Sequence, residues 1–430
     1  MKKDMVITDG EKLRAIREKY KLKQSDVVGK DITRNLLSEI ETGKAVITKN
    51  TAEIIIKNLK ELSKKRGFEV TETVDYLMEN TFVQAAKILD DYIAKLKLLL
   101  ISKDESFAEI LKESKGFLAS WNINEKAAII YELAGDYFYI QSEMYESILY
   151  YEKALSSIGK LSVSDELLKI FSKISIAYIH GGNYDKAIES CTFVIDHFQN
   201  LSLKNMYHFM YNRAYSYFLL NKYDRALASI DKIEGFVSED DKQNYFMLLD
   251  TKAACFYELT RYDEALELYM RILKVLDDND IDKKIVIYIN MAEVYIKLLD
   301  MNKANELLDK AKKELPFINS DSRYEADIYY ELGKIYKEGN KVEASKYYSQ
   351  ALETSKKHKN YVLVADVLYD LMQCENNIKN IDIIKNEVFI ISSKQEKLAD
   401  KLIHKLINFY AANKDISKIL EINNFALQFI

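Results

Sequence analysis

Proline is almost missing from this 430-residue chain: there is one, Pro316, together with only 12 glycines. Helix interiors therefore meet few breakers, and the Gly-rich two-residue turns that close β-hairpins are nearly absent. Cysteine is as scarce. Cys191, Cys255 and Cys374 are far apart and odd in number, which excludes a disulfide framework and zinc-ligand spacing and predicts buried thiols in a reducing compartment. Long apolar runs are missing as well. The most apolar stretch, Leu96 to Ile101, contains Lys97 and follows Lys95, so no membrane partner is expected. The lysines of MKKDMVITDGEK have no apolar run behind them to make a secretory signal, and the expected setting is the cytoplasm. Catalytic signatures are also lacking. There is no phosphate-binding Gly loop, nucleophile elbow, His-Glu-x-x-His or paired Cys site, and the five histidines show no ligand spacing. The sequence predicts no enzyme, no metal and no cofactor.

What remains is helix-forming. Leu, Ile, Lys, Glu and Ala are abundant, and the 31 Tyr and 18 Phe are unusually many. A chain of this length exceeds one core, so it is either several domains or a solenoid, and the composition favours the solenoid. Charge is distributed unevenly. Residues 1 to 66 hold 17 Lys and Arg against 10 Asp and Glu, a net +7, while the remainder holds 45 against 57, a net −12. A basic head on an acidic body suits phosphate contact confined to the head, because DNA repels an acidic surface.

Within GEKLRAIREKYKLKQSDVVGKDITRNLLSEIETGKAVITKNTAEIIIKNLKEL, apolar residues recur in four short helical blocks. They are Leu13 and Ile16; Val27 and Val28; Leu37 and Ile40; and Ile54, Ile55, Leu59 and Leu62. Thr33 can cap the third helix, and Gly43 can end it in a left-handed turn. Over Gly10 to Lys65 this pattern resembles the XRE-type helix-turn-helix family. Leu13, Arg14, Arg17, Gln24 and the run Leu37 to Lys44 carry the resemblance. It implies that Gln24 and Lys44 hold phosphates while Thr33, Arg34, Asn35 and Ser38 face a double-stranded operator. Arg34 suits a guanine edge and Asn35 an adenine edge. Arg14 and Arg17 either touch DNA or solvate the first helix. Two positions depart from the family pattern: Lys23 stands where Ser or Thr caps the second helix, and Val28 where a small Ala lies. Both departures are expected to loosen that helix.

Beyond a linker helix expected to begin near Phe68, the chain repeats itself. The small residues Ser147, Ala187, Ala226, Ala265, Ala304 and Ala344 are separated by 40, 39, 39, 39 and 40 positions. Each follows an aromatic or large apolar residue, a second small residue and a ring at nearly fixed offsets, as in Tyr288, Ala292, Tyr295 and Ala304. Small residues let the two helices of a hairpin approach while rings fill the gap to the next. Polar or Gly turns such as GGNYDKA, LNKYDRA and LTRYDEA precede the second helix. The pattern looks like the tetratricopeptide repeat with a lengthened period, Pro316 taking the usual place after a second helix. Weaker copies near Ala108, from Tyr361 to Phe389 and from Lys401 to Ile430 bring the expected total to eight or nine hairpins.

First helices of such stacks line a concave face. Positions one, two and five after each first anchor give a candidate peptide lining that includes Tyr211, Asn212, Tyr215, Asp250, Asn290, Glu293, Tyr330 and Lys334. Asn212 and Asn290 offer both a donor and an acceptor to an extended backbone, or they satisfy helix carbonyls locally. Tyr211 and Tyr215 weigh more as packing than as ligand contacts.

The expected fold is therefore all-α. A helix-turn-helix bundle at 1–66 and a linker with a degenerate repeat at 67–125 precede a right-handed α-solenoid of tetratricopeptide-like hairpins at 126–430. As a whole the chain resembles the RRNPP family of peptide-sensing regulators. The resemblance implies a homodimer whose concave groove takes a short signalling peptide and whose heads bind operator DNA. A competing expectation is an antagonist that sequesters a response-regulator protein. An accessory promoting phosphoryl hydrolysis ranks last, since it needs a positioned Gln or carboxylate on the linker helices, where Gln84 is the only Gln.

Overall fold

Threonine side chains open four of the first five helices. Thr8, Thr33, Thr48 and Thr73 each accept a first-turn amide, starting α1 (Asp9–Lys19), α3 (Arg34–Glu41), α4 (Lys49–Arg66) and α5 (Val74–Met78). The exception is α2 (Gln24–Val28), with Lys23 at its cap. There the carboxylate of Asp26 accepts from the Lys23 amide at 2.9 Å and from Arg66 at 3.0 Å. The helix is thus pinned from its third residue rather than its cap. Val28 is accommodated at 7 % exposure, and Asn58 donates to the Val27 carbonyl at 2.9 Å. Gly29 follows at φ +60°, with the Asn58 amide lying where a Cβ would sit, so a side chain there meets both a left-handed backbone and a clash.

This computed structural model describes residues 5–158, 164–319, 321–375, 377–395 and 397–429. It forms two compact units, residues 1–137 with 152–160 and residues 138–151 with 161–430. In the first, Leu13, Ile16, Val27, Leu37, Ile40, Ile55 and Leu59 share one core with Leu77 of α5. The expected helix from Phe68 does not form. Residues 68–73 are non-helical, the Phe68 ring stacks on Tyr20 at 4.6 Å, and Thr73 and Asn80 cap α5 and α6 (Thr81–Ser102) as separate helices. Helix α7 (Phe107–Ser120) packs on α6. Helices α8 (Asn124–Ile140) and α9 (Met144–Ile158) each have residues in both units.

The second unit is a run of seven hairpins. They are α10 (Asp165–His180) with α11 (Tyr184–His197), α12 (Leu203–Leu219) with α13 (Tyr223–Asp231), α14 (Lys242–Glu258) with α15 (Tyr262–Val275), and α16 (Ile281–Lys297) with α17 (Met301–Glu314). Then come α18 (Glu325–Tyr336) with α19 (Lys341–Lys357), α20 (Tyr361–Cys374) with α21 (Ile378–Lys394), and α22 (Asp400–Ala412) with α23 (Ile416–Ala426). Among the described residues there is no strand. The weak copies after Tyr361 are complete hairpins.

All six small residues of the period, from Ser147 to Ala344, are 0 % exposed. A second periodic feature accompanies them. Ser142, Gly182, Asn221, Thr260 and Leu299 have φ between 58° and 72° and each lies five residues before one of the small residues. The turn is therefore left-handed in every one of these repeats, whatever its residue. At Gly333 a Cβ would come within 2.5 Å of the Tyr348 ring, so this glycine is the space the ring fills. Pro316 sits in a 3-10 turn, Leu315–Phe317, after α17.

Candidate DNA-reading helix and ligand face

In the head, Leu37 and Ile40 anchor α3 in the core, and its opposite side is open. Thr33, Arg34, Asn35 and Lys44 are exposed and Ser38 is half-buried. Gln24 is not free. Its amide donates to Glu41 at 2.9 Å and accepts from Arg34 Nε at 3.4 Å, so it links α2 to α3 and steadies the Arg34 side chain. Glu41 also receives Arg17 through two bonds of 2.9 and 3.1 Å, while Arg17 Nη1 reaches the Leu22 carbonyl at 3.2 Å. Burial would raise the Glu41 carboxyl, but the bonds from Arg17 and Gln24 outweigh it and hold the group below its ordinary range. Arg17 thus makes an internal tie, which is neither of the two roles expected for it. Arg14 pairs with Glu18 at the surface.

Two further ties bind the head to the helices that follow within the same unit. Lys12 is fully buried and donates to the carbonyls of Tyr76, at 2.8 Å, and Glu79, with burial lowering its pKa. Gln84 of α6 clasps the Ile7 backbone through bonds of 3.1 and 3.0 Å and donates to the Glu79 carbonyl at 3.1 Å. Both of its amide atoms are thus engaged by backbone.

Along the array, the first helices are joined by a ladder of polar contacts one repeat apart. His208 meets Ser172 at 2.9 Å, and Asn212 donates to Ser175 at 3.1 Å. Tyr211 lies 3.1 Å from Thr251, Asn290 donates to Asp250 at 3.1 Å, and Tyr330 donates to Asp370 at 2.9 Å. Tyr211, Asn212, Asp250, Asn290 and Tyr330 stand at the offsets expected to line a ligand face, and at the same positions neighbouring repeats touch. The two roles separate residue by residue. Asn212 is 7 % exposed, and its NH2 also meets His208 at 3.2 Å, so only its oxygen is left for a ligand. Tyr211 is buried within a stack of rings running from Tyr207 to Tyr215, with centroids 5.7 and 6.1 Å apart. Tyr215 is half-buried, and burial pushes its phenol up to about 12. Asn290, Glu293 and Tyr330 are half-buried and Lys334 is exposed beside Glu331, 2.6 Å away.

Acidic groups dominate the middle of this face. Asp250 is pushed up to about 6 by burial, opposed by the Asn290 bond. Asp327 is pushed up to about 6 by desolvation, with Glu331 adding. Glu293 is raised by burial and by Glu331, while Lys334 and Lys297 oppose the shift. Water touches Asp327 and half-reaches Asp250 and Glu293, yet all three are desolvated. The offsets read from sequence omitted Asp327 and Asp366. Both stand four residues before an acidic residue of the first-helix face, Glu331 and Asp370, and so share its helix face one turn back.

No protein-family model matches this chain, and no curated protein sequence matches it. Solved structures do match. The apo form of the quorum sensor NprR from B. thuringiensis is 16% identical and aligns over 83% of this chain and 93% of its own, with a TM-score of 0.52. The apo form of RapI is 15% identical over 63% of this chain and 98% of its own, at 0.51. A tetratricopeptide repeat protein from Parabacteroides merdae is 18% identical over 67% of this chain and 99% of its own, at 0.50. NprR and RapI are RRNPP proteins. The chain thus has the all-α, tetratricopeptide-type fold that these RRNPP proteins carry.

Proposed function

We propose that the protein is a cytoplasmic transcriptional regulator whose repeat array receives a short signalling peptide and whose head binds double-stranded DNA. The observation that carries this reading is the union, in one chain, of an open polar α3 face on a +7 head with a polar, acid-rich first-helix face on the repeats. Arg34 and Asn35 project from the first turn of α3 with the chemistry for base edges, while Lys44 stands beyond its end as a phosphate contact. A homodimer follows from the need for two half-sites, since one short helix reads few bases. Large apolar residues exposed at the C-terminal end support it: Ile383 and Ile390 on α21, and Ile416 and Leu420 on α23. Peptide binding acts as a population shift between arrangements of the array. A tenfold preference for one arrangement supplies only about 1.4 kcal/mol, so several contacts act together.

The test is selection from a randomised duplex library by the full chain. Enrichment of a two-fold symmetric site, abolished in the Arg34→Ala/Asn35→Ala variant, is expected. Recovery of unenriched duplexes by wild type and variant alike would refute DNA reading. A response-regulator antagonist has the RapI fold on its side but gives the open α3 face no role.

A further inference from the structure

Charge on the first-helix face is polarised along the array. From α14 to α18, Asp250, Glu293 and Asp327 form no ion pair among the described residues, whereas the nearby Glu331 and Asp370 are neutralised by Lys334 and Lys337 at 2.6 and 2.9 Å. Toward the C-terminal end the sign changes. A cleft of about 810 Å³ opens between α20 and α22, lined by Ala365, Asp366 and Tyr369 on one side and by Lys397, Asp400, Lys401 and Lys405 on the other. None of these lysines is in an ion pair among the described residues. Lys405 is half-buried, donating to the Tyr369 carbonyl at 2.9 Å with its ammonium 3.6 Å from the ring centroid. The cleft's three ammonium groups thus face two carboxylates, an excess of one positive charge, and Lys405 itself is held by a carbonyl and a ring rather than by a carboxylate.

One buried hydroxyl next to Tyr330 of this face also lacks a partner. Tyr348 is 0 % exposed and its hydroxyl has no hydrogen-bond partner. Its ring packs on Gly333 and lies 5.9 Å from that of Tyr330.

We propose that this face binds an oligopeptide in one direction, its positively charged amino-terminal half on Glu293 and Asp327 and its free carboxyl-terminus in the cleft of Lys401 and Lys405. The inference rests on the peptide-receptor reading and adds the ligand's charge pattern and polarity to it. Length follows from the same geometry. From α16 to α22 there are three steps between first helices, roughly 25 to 30 Å at the usual helix spacing. An extended chain covers that span with about eight residues.

The probe is a randomised octapeptide library made twice, with a free carboxylate and with a C-terminal amide. Each is passed over the immobilised full chain, and the retained peptides are sequenced by mass spectrometry. The free acids should be retained at least tenfold over the amides and be enriched in Lys and Arg in positions one to four. Lys401→Ala/Lys405→Ala should erase the preference for free acids and keep the Lys and Arg enrichment. Glu293→Gln/Asp327→Asn should do the reverse, with circular dichroism melts confirming that each variant is folded. Equal retention of acids and amides, or basic residues enriched in the last half, overturns the direction while peptide binding stands. Retention of no peptide from either pool overturns the receptor reading and this inference together.

Discussion

Head and array hold themselves together by different means. The head depends on ties that occur once: Arg17 to Glu41, Asn58 to the Val27 carbonyl, Lys12 to the end of α5. The array depends on one arrangement used again and again, a fully buried small residue five places after a left-handed turn. Unique ties make single substitutions severe, because nothing else does the same job. Repetition spreads the burden, so that damage to one repeat stays close to where it was made.

The largest effect should therefore come from the head. Arg17→Ala leaves Glu41, whose side chain is only 6 % exposed, without its cation. A loss of about 3 kcal/mol is expected from denaturant melts, whereas Arg14→Ala, at a surface pair, should not change the midpoint measurably. If both variants melt alike, the distinction between internal and surface arginines fails.

In the array the strongest single change is Gly333→Ala, which drives a methyl into the Tyr348 ring and should cost about 2 kcal/mol. Gly339→Ala, where a Cβ meets nothing, is the matched control and should stay within about 0.5 kcal/mol of wild type.

The next prediction concerns pH. Burial holds the Asp250 carboxyl at about 6 in the folded protein, above the ordinary 3.8 of an aspartate in water, so the folded state binds the proton more tightly. Its contribution favours the fold at low pH and is lost as pH rises from about 4 to about 6. Asp250→Asn should remove that part of the slope in pH-dependent melts. Asn290→Ala, which deletes the bond opposing the shift, should move the titration of Asp250 still higher by NMR, at a stability cost of about 1 kcal/mol. A titration unmoved by Asn290→Ala would show that the contact is not formed in solution.

The smallest effect should be a gain. Leu299 has φ 61° and is 85 % exposed, so its side chain contributes little packing against a strained backbone. Leu299→Gly should raise stability by up to about 1 kcal/mol. An unchanged or lower melting temperature would mean that the turn tolerates Leu without strain.

The same contrast governs what could be read from the sequence. The array's period was legible because packing geometry imposes it: each of the six small residues counted at 39 or 40 spacings is buried completely. The head's motif was legible as a pattern, but its ties were not. Nothing local to Lys23 announces that Asp26 and Arg66 substitute for a cap, since Arg66 is 40 residues away. Ligand-facing and repeat-joining residues could not be separated either. Asn212 and Asn290 occupy equivalent positions, yet one has its amide turned into the Ser175 and His208 network and the other meets Asp250 on the open face. Only the neighbouring repeat decides between them, and it lies nearly 40 residues off in the sequence.

The account's central claim is that the array's ligand alters DNA binding by the head. The direct measurement takes the duplex selected by the full chain and titrates it by fluorescence anisotropy without peptide and at saturation with a peptide retained by the array. The duplex affinity should change by about tenfold or more, and by linkage the peptide's affinity should change by the same factor when duplex is present. Identical titrations with and without peptide would contradict the claim, whatever each half of the molecule binds alone.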